Sequence, residues 1–287
     1  MSKILITGGA GFIGSHLTDR LLADGDEVLV IDNFSTARRD SLAPHERLTV
    51  VEGTIADPDV VQGAFADFGP DAVVHAAASY KDPHAWAEDS RTNVVGSANV
   101  VQAAGEAGAG RVVYLQTALC YGIKPLEQPI TLAHPLRPVD SSYAISKTAG
   151  EHYVFLGDVP AVSFRLANVY GPRNLSGPLP TFFHRLSNDK PCFVMDTRRD
   201  FVYVDDLVDL LLRAVRGAGE PGAYHASSGT DFSIQELYDA TIAALELPPH
   251  EVEVRDGSSR MLNASSSPRS RTSTSCGGSS SAAMVAS

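Results

Sequence analysis

The chain has 287 residues, of which 44% are hydrophobic and 20% charged, a composition close to that of ordinary soluble domains and enough for one large core and a small second lobe. Its formal net charge of −11 argues against a general affinity for nucleic acid, because such binding needs a basic surface. The lack of a long apolar run and of a secretory signal, together with three scattered cysteines, predicts a cytoplasmic protein without a membrane partner.

Short β-branched runs alternate with longer helical patterns in the first part of the chain. The predicted strands cover residues 4–7, 27–31, 48–51, 72–75, 112–115 and 161–164. The predicted helices between them cover about 12–24, 58–67, 84–108 and 141–156. The strands are nearly continuous apolar runs, as expected when both faces of a sheet are covered. This alternation of strands and helices predicts an α/β fold with a doubly wound parallel sheet of the Rossmann type over residues 1–166.

The regular alternation of strand and helix patterns ends after Arg165. Gly-Pro pairs there indicate loops, and shorter helical patterns follow at residues 182–186, 203–216 and 233–246. We assign residues 167–257 to a smaller C-terminal substrate-binding lobe, with returns to the first domain near 197–228. Residues 258–287 hold 12 serines among 30 residues and lack a periodic apolar pattern, which predicts a disordered tail.

Three glycines with the spacing G-x-x-G-x-x-G, Gly8, Gly11 and Gly14, directly follow the first predicted strand and open a helix. Glycine is needed where the backbone turns tightly and touches a pyrophosphate, and a helix N-terminus offers free N–H groups and the positive end of its dipole. Such a triplet also occurs in plain tight turns. Its position between a strand and a helix favours a dinucleotide site in the first domain.

The second predicted strand ends in Asp32. An acid at this position can accept hydrogen bonds from both ribose hydroxyls of adenosine and repels a 2′-phosphate, so it favours NAD over NADP as the cofactor. Arg38 and Arg39 follow and would be able to meet such a phosphate, which leaves NADP as the alternative.

Tyr143 and Lys147 lie four residues apart on a predicted helix and therefore face the same way. An ammonium beside a phenol, together with a positive nicotinamide ring, favours the phenolate. Tyr143 can then take a proton from a sugar hydroxyl while a hydride leaves the same carbon, and Lys147 can donate to the nicotinamide ribose. In many helices this spacing is structural, but here it follows a dinucleotide fingerprint.

Over roughly residues 3–247 the chain resembles the extended short-chain dehydrogenase/reductase family, specifically its nucleotide-sugar epimerases and dehydratases. The segments that carry the resemblance are residues 7–14, 32–33, 74–77, 92–96, Tyr143 with Lys147, 165–172 and 199–206. Members of this family bind NAD in the first domain and a nucleotide-linked sugar between the domain and the lobe. The resemblance thus implies NAD as cofactor, a nucleotide sugar as substrate and, as we expect, a homodimer.

The resemblance also implies roles for single residues. Thr117 matches the hydroxyl residue that hydrogen-bonds the reacting sugar oxygen beside Tyr143, although a Thr at a strand end is otherwise structural. Arg199 matches an arginine that pairs with the substrate diphosphate, where the alternative is a surface ion pair with Asp200. Further substrate contacts are expected from Asn168 and Leu179. Further cofactor contacts are expected from Phe12, Ile13, Asn33, Thr54, Ile55 and Ala76.

The reaction is inferred by elimination from the two residues after Thr117. In the family that the chain resembles, 4,6-dehydratases carry Asp and Glu there and uronic-acid decarboxylases usually carry Glu at the second position. Ala118 and Leu119 have no acid to offer. We therefore expect an NAD-dependent epimerase that inverts carbon 4 through a 4-keto intermediate. A dehydratase, a decarboxylase, a ketosugar reductase and a non-catalytic NAD sensor are the alternatives, and the nine histidines show no metal-ligand spacing.

Overall fold

A seven-stranded parallel sheet forms the centre of the fold in the computed structural model, which describes residues 1–139, 141–248 and 251–256. The strands in these residues are β1 (Lys3–Thr7), β2 (Glu27–Asp32), β3 (Leu48–Glu52), β4 (Ala72–His75), β5 (Arg111–Thr117), β6 (Ala161–Leu166), β7 (Asn168–Tyr170), β8 (Phe193–Asp196), β9 (Arg198–Tyr203), β10 (Gly222–Ala226), β11 (Asp231–Ser233) and β12 (Glu253–Asp256). The main sheet has the order β3-β2-β1-β4-β5-β6-β10. Its strand order reverses between β1 and β4, so the predicted doubly wound Rossmann sheet is confirmed.

Helices cover both faces of this sheet. The α-helices in the described part of the chain are α1 (Phe12–Ala23), α2 (Pro58–Phe68), α3 (Trp86–Ser90), α4 (Gly96–Glu106), α5 (Ser142–Leu156), α6 (Pro178–Leu186), α7 (Val204–Val215) and α8 (Ile234–Ala244), of which α6 and α8 pack together in a separate cluster. None of these helices combines the length and the apolar character that crossing a membrane requires.

Two cores lie on the two faces of the main sheet. The first is formed with α1 and α7, and the second with α2, α4 and α5. Along β1, Ile4 and Ile6 belong to the first core and Leu5 to the second, and all three are almost fully buried. Because side chains alternate between the faces of a strand, a strand covered on both sides is apolar throughout, which explains why β1 could be predicted.

The single helix predicted at 84–108 is not uniformly α-helical. It consists of α3, a π-helical turn at Arg91–Val95, and α4. The wider turn holds Asn93, which is buried and spans three groups: its Nδ2 donates to the Ser79 carbonyl and to Ser146 Oγ, each at 2.9 Å, and its Oδ1 accepts from the Ser79 N–H at 2.9 Å. The backbone thus stays helical from Trp86 to Glu106, as predicted, and the π-helical turn within it ties the loop after β4 to helix α5.

A smaller set of elements follows β6. β7, β9 and β11 form a three-stranded sheet, while β8 and β12 pair in parallel. A separate apolar cluster lies between α6, β8 and α8, and β10 then returns to the edge of the main sheet beside β6. The predicted division at residues 166 and 257 stays a prediction, and the predicted tail at 258–287 lies outside the described residues.

Candidate active site and cofactor cleft

A cleft of about 1020 Å³ lies at the carboxyl ends of the parallel strands, where the strand order reverses, and residues of β7 and α6 line its other side. It brings together most of the residues that the sequence analysis singled out: Gly8, Gly11, Phe12, Ile13, Gly14, Asp32, Asn33, Thr54, Ile55, Ala76, Thr117, Tyr143, Asn168 and Leu179. Lys147 and Arg199 are not among its lining residues. The other cofactor, catalytic and substrate residues predicted from the sequence thus lie around one cleft.

The glycine loop between β1 and α1 has space only for backbone. Gly8 has a φ of +70°, and a Cβ added there would lie 2.7 Å from the backbone nitrogen of Ala77. A Cβ on Gly14 would collide with the carbonyl oxygen of Gly8. Because glycine has no Cβ, α1 can pack closely against the loop. Gly11 is the N-cap of α1 and brings no side-chain cap, so the first-turn N–H groups stay available to an anion. The loop fits the pyrophosphate of a dinucleotide.

Asp32, at the end of β2, is fixed by two backbone donors. Its carboxylate accepts from the N–H of Ala10 at 3.0 Å and from the N–H of Phe34 at 2.8 Å. The side chain is only 8% exposed, and this burial raises the pKa of Asp32, against which the two hydrogen bonds act. The carboxylate has a fixed orientation in the cleft, as recognition of a ribose diol requires.

The two arginines after β2 are both engaged with carboxylates. Arg38 contacts Asp40 through two hydrogen bonds of 2.6 and 2.8 Å, and Arg39 forms a fork on Glu52 at 2.6 and 2.7 Å. The guanidinium of Arg39 also lies over the ring of Phe34, 4.6 Å from its centroid. Neither arginine is free to meet a 2′-phosphate without giving up its partner, which favours NAD over NADP.

Replacing Asp32 with Ala is expected to weaken NAD binding about tenfold to a hundredfold, since hydrogen bonds to a charged group contribute about 1.5–3 kcal/mol each. Binding of NADP should weaken less, because the same change removes a repulsive charge. Titration of NADH and NADPH fluorescence checks the two affinities, and Asp67→Ala on the exposed face of α2 is the matched control. An unchanged ratio of the two affinities would contradict the role of Asp32.

Tyr143 and Lys147 both lie on α5, and burial shifts the pKa of both side chains. Burial raises the pKa of Tyr143 well above its ordinary value, with further contributions from Tyr80 and Asp89. Burial lowers the pKa of Lys147 to about 7, and its Nζ lies 3.9 Å from the ring centroid of Tyr114. The direction for Tyr143 is opposite to the one expected from a neighbouring ammonium alone, because burial of the phenol is the largest contribution. In the protein alone Tyr143 is a neutral phenol.

Thr117 ends β5 and caps the short 3-10 turn at Ala118–Tyr121. Its Oγ1 accepts from the N–H of Leu119 at 3.2 Å, so the hydroxyl proton stays available to donate into the cleft. The cap also explains the direction of the side chain, which the sequence alone did not determine. Thr117 and Tyr143 both line the cleft.

A buried ion pair behind α5 was not anticipated from the sequence. Glu151, which is completely buried, accepts from Arg165 at 3.0 and 3.1 Å and from Ser163 Oγ at 2.6 Å. Arg165 also donates to the hydroxyl of Tyr121 at 2.8 Å, and that hydroxyl lies 2.7 Å from Nε2 of His225. Because each charge has its hydrogen bonds satisfied, the network can fix α5 against β6 and β10.

Arg199 on β9 is half-buried and has no hydrogen-bond or carboxylate partner within the described residues, and burial lowers its pKa. The alternative ion pair with Asp200 does not form, because that carboxylate accepts from Ser228 at 2.9 and 3.0 Å and from the Gly229 N–H at 2.8 Å. Asn168 Nδ2 donates to the Asp200 carbonyl at 3.1 Å. An unpaired guanidinium of this kind suits an anionic ligand.

Other reactive groups in the described residues are structural. His75 is buried, with Nδ1 2.7 Å from Thr7 Oγ1 and Nε2 2.9 Å from Ser97 Oγ, and burial lowers its pKa well below the ordinary value. Burial raises the pKa of Cys120 to about 12, so this residue is a thiol rather than a nucleophile. No group of three or more His, Cys, Asp or Glu side chains in the described part of the chain is arranged to hold a metal.

Comparison with known proteins agrees with this geometry. Residues 4–226 match the NAD dependent epimerase/dehydratase family. A UDP-glucose 4-epimerase from Mycolicibacterium smegmatis is 35% identical over 268 residues, which cover 86% of this chain and 83% of that protein. The Bordetella bronchiseptica enzyme WbmH, solved in complex with NAD+, has a TM-score of 0.87 and 57% identity over 89% of this chain and 85% of its own. The enzyme WbmG of the same organism, solved with NAD and UDP, has a TM-score of 0.84 and 45% identity over 89% and 83%.

Proposed function

This chain belongs to the NAD dependent epimerase/dehydratase family, and we propose that it inverts carbon 4 of a UDP-linked sugar through a 4-keto intermediate. It is an NAD-dependent enzyme of the extended short-chain dehydrogenase/reductase type. The observation that carries the proposal is the cleft itself, which joins Thr117 and Tyr143 to the glycine loop and Asp32. The two residues after Thr117 carry no acid.

The residues that would hold NAD fit it. The glycine loop and the uncapped start of α1 would bind its pyrophosphate, Asp32 would accept hydrogen bonds from its adenosine ribose, and Lys147 would donate to its nicotinamide ribose. When bound, NAD supplies a reversible hydride acceptor and a positive ring. That charge, with the Lys147 ammonium, opposes the effect of burial on Tyr143 and favours its phenolate.

The protein's own residues then move one proton. Tyr143 removes the proton from the carbon-4 hydroxyl of the sugar, and the Thr117 hydroxyl donates to the same oxygen. The ketone turns about its diphosphate link while Arg199 and Asn168 hold the diphosphate and Leu179 packs beside it. Tyr143 returns its proton to the oxygen when the hydride comes back to the opposite face. No other acid or base is required, which is consistent with Ala118 and Leu119.

The family includes dehydratases, and the residues at positions 118 and 119 distinguish the two reactions. A dehydratase must protonate a departing hydroxyl and remove a proton from carbon 5, and neither Ala118 nor Leu119 can do so. A ketosugar reductase would use the same residues but would consume a reduced cofactor. A non-catalytic NAD sensor needs only the glycine loop and Asp32, and Thr117, Tyr143 and Lys147 would serve no purpose in it.

The test is a panel of UDP-sugars incubated with the protein and NAD, followed by NMR at carbon 4 and by absorbance of NADH. We expect inversion of at least one sugar without net formation of NADH. Formation of NADH in proportion to substrate would indicate a dehydrogenase or reductase instead. Loss of water from the sugar would indicate a dehydratase, and NAD binding without any turnover a sensor.

We further propose that the protein is a cytoplasmic homodimer that pairs through α5. Its outer face carries a stripe with helical spacing, Ile145, Ala149, His152 and Leu156, and Ile145 and Leu156 are 51% and 76% exposed. The thiols of Cys120 and Cys192 are unpaired in the described residues, which fits a reducing compartment.

A Leu156→Asp variant is expected to shift the protein from dimer to monomer, because it places a charge in the proposed apolar contact. Sedimentation equilibrium measures the mass. Phe183→Asp, at an exposed apolar position on α6, is the matched control and should leave the mass unchanged. A monomeric unmodified protein, or a Leu156→Asp variant that stays dimeric, would contradict pairing through α5.

A further inference from the structure

The side chain of Gln116 connects the two main-chain segments that carry the catalytic residues. It is 1% exposed and lies between the end of β5 and helix α5. Its Oε1 accepts from the N–H of Thr117 at 2.8 Å, and its Nε2 donates to the carbonyl oxygen of Lys147 at 3.0 Å. The hydroxyl of Tyr114 donates to the same carbonyl at 2.9 Å. One amide thus touches the backbone of both Thr117 and Lys147.

Only a group that donates and accepts at once can make this connection. A carboxylate in place of the amide has no proton for the Lys147 carbonyl, and an apolar side chain leaves the Thr117 N–H without an acceptor. Since the side chain is only 1% exposed, solvent has little access to the unmet groups, and the strand end and the helix must shift to compensate.

We propose that Gln116 is a positioning residue, which sets the separation between the Thr117 hydroxyl and the Tyr143–Lys147 face of α5. The inference rests on the proposed function, because that function assigns the reaction to these three side chains. Gln116 is one of the residues around the cleft, but it is 1% exposed and both ends of its amide are bonded to backbone, so it acts through the backbone of its neighbours. Its loss affects the geometry of catalysis more than the capture of the nucleotide sugar, whose diphosphate is held from β7 and β9.

The first test compares Gln116→Met with Gln62→Met, which makes the same change on the exposed face of α2. We expect Gln116→Met to lower kcat for sugar inversion about tenfold to a hundredfold with little change in KM, as misplacement of catalytic groups does. The affinity for NAD should fall about threefold to tenfold, because Lys147 loses one orienting hydrogen bond. Unchanged kcat and unchanged NAD affinity in Gln116→Met would overturn the proposal.

The second test uses Gln116→Glu and its pH profile, which a merely structural role would not move. When neutral, the acid restores both contacts, since its carbonyl accepts from Thr117 and its O–H donates to Lys147. The ratio of kcat in this variant to kcat in the unmodified enzyme should therefore rise as the pH falls. If burial keeps this acid neutral throughout, the variant should match the unmodified enzyme while Gln116→Met stays impaired. A ratio that is low and independent of pH would overturn the proposal.

The proposed function and the positioning role of Gln116 can be disproved separately. If the unmodified protein inverts no UDP-sugar, the proposed function is lost, and Gln116 is then tested by NAD affinity alone in the Met and Glu variants. If inversion occurs but both variants equal Gln62→Met in kcat, in NAD affinity and in pH profile, only the positioning role is lost. Thermal melting of each variant separates misplacement from unfolding, and a Gln116→Met protein that does not fold leaves the pH profile of Gln116→Glu to decide.

Discussion

A Tyr143→Phe variant is expected to lose about 10²- to 10⁴-fold in kcat, the usual contribution of a positioned general acid or base. The change removes one hydroxyl and keeps the ring, which packs against the ring of Tyr80 with centroids 6.4 Å apart. Binding of NAD should stay as it is, because the glycine loop and Asp32 are untouched. Turnover of the UDP-sugar identified in the panel measures the first effect, and NADH fluorescence measures the second.

The matched control for this experiment is Tyr80→Phe. It removes a hydroxyl from the same cleft, on the ring that neighbours Tyr143. We expect it to retain most of the activity, since Tyr80 takes no part in the proposed proton transfer. Full activity in Tyr143→Phe would disprove the mechanism, and an equal loss in the two variants would show that the cleft, rather than the phenol of Tyr143, had been disturbed.

Lys147→Met is expected to remove a rise of stability with pH that the unmodified protein shows without NAD. Burial lowers the pKa of Lys147 from 10.5 to about 7. Between these values the unfolded chain holds a proton at this position that the folded chain does not, so the free energy of unfolding rises with pH. Below pH 7 both states are protonated, and the unfavourable contribution is complete. From pH 7 to about pH 10, the unmodified protein should gain about 4 kcal/mol relative to the variant.

Urea unfolding at several pH values between about 7 and 10 measures this difference, because subtracting the variant from the unmodified protein cancels the other titrating groups. Lys124→Met makes the same substitution at an exposed lysine and is the control for loss of the side chain. A difference for Lys147→Met that does not change with pH would contradict burial of the ammonium. Saturating NAD should reduce the effect, because a hydrogen-bond acceptor at Nζ favours the charged form.

The parts of the fold that could be predicted from sequence are those in which the polarity of each residue follows directly from its burial. β1, β2 and β4 are buried on both faces, so their apolar runs predict both the strand and its place in a parallel sheet. β7 to β12 could not be predicted in this way. β9 contains two arginines and an aspartate, and its side chains are partly exposed, so that pairing with other short strands rather than burial determines it.

The same distinction applies to the site. The glycine loop, Asp32 and the Tyr143–Lys147 pair are local patterns with a chemical reason for their spacing, and the structure places the loop, Asp32 and Tyr143 in one cleft. Gln116 and Glu151 were missed because their partners are distant along the chain: Gln116 meets Lys147, and Glu151 meets Arg165. The π-helical turn was missed because the apolar periodicity runs through it without a break.

The order in which the chain is synthesised determines when the hydrogen-bond network behind α5 can form. His225, whose Nε2 closes the chain of hydrogen bonds from Glu151 through Arg165 and Tyr121, lies on β10. That strand is synthesised after β7, α6, β8 and β9 of the small lobe, although it pairs with β6. On the ribosome, the Rossmann sheet therefore has an unfinished edge until residue 226 has emerged. The hydrogen-bond network behind the active site is thus completed only with the last strand of the main sheet.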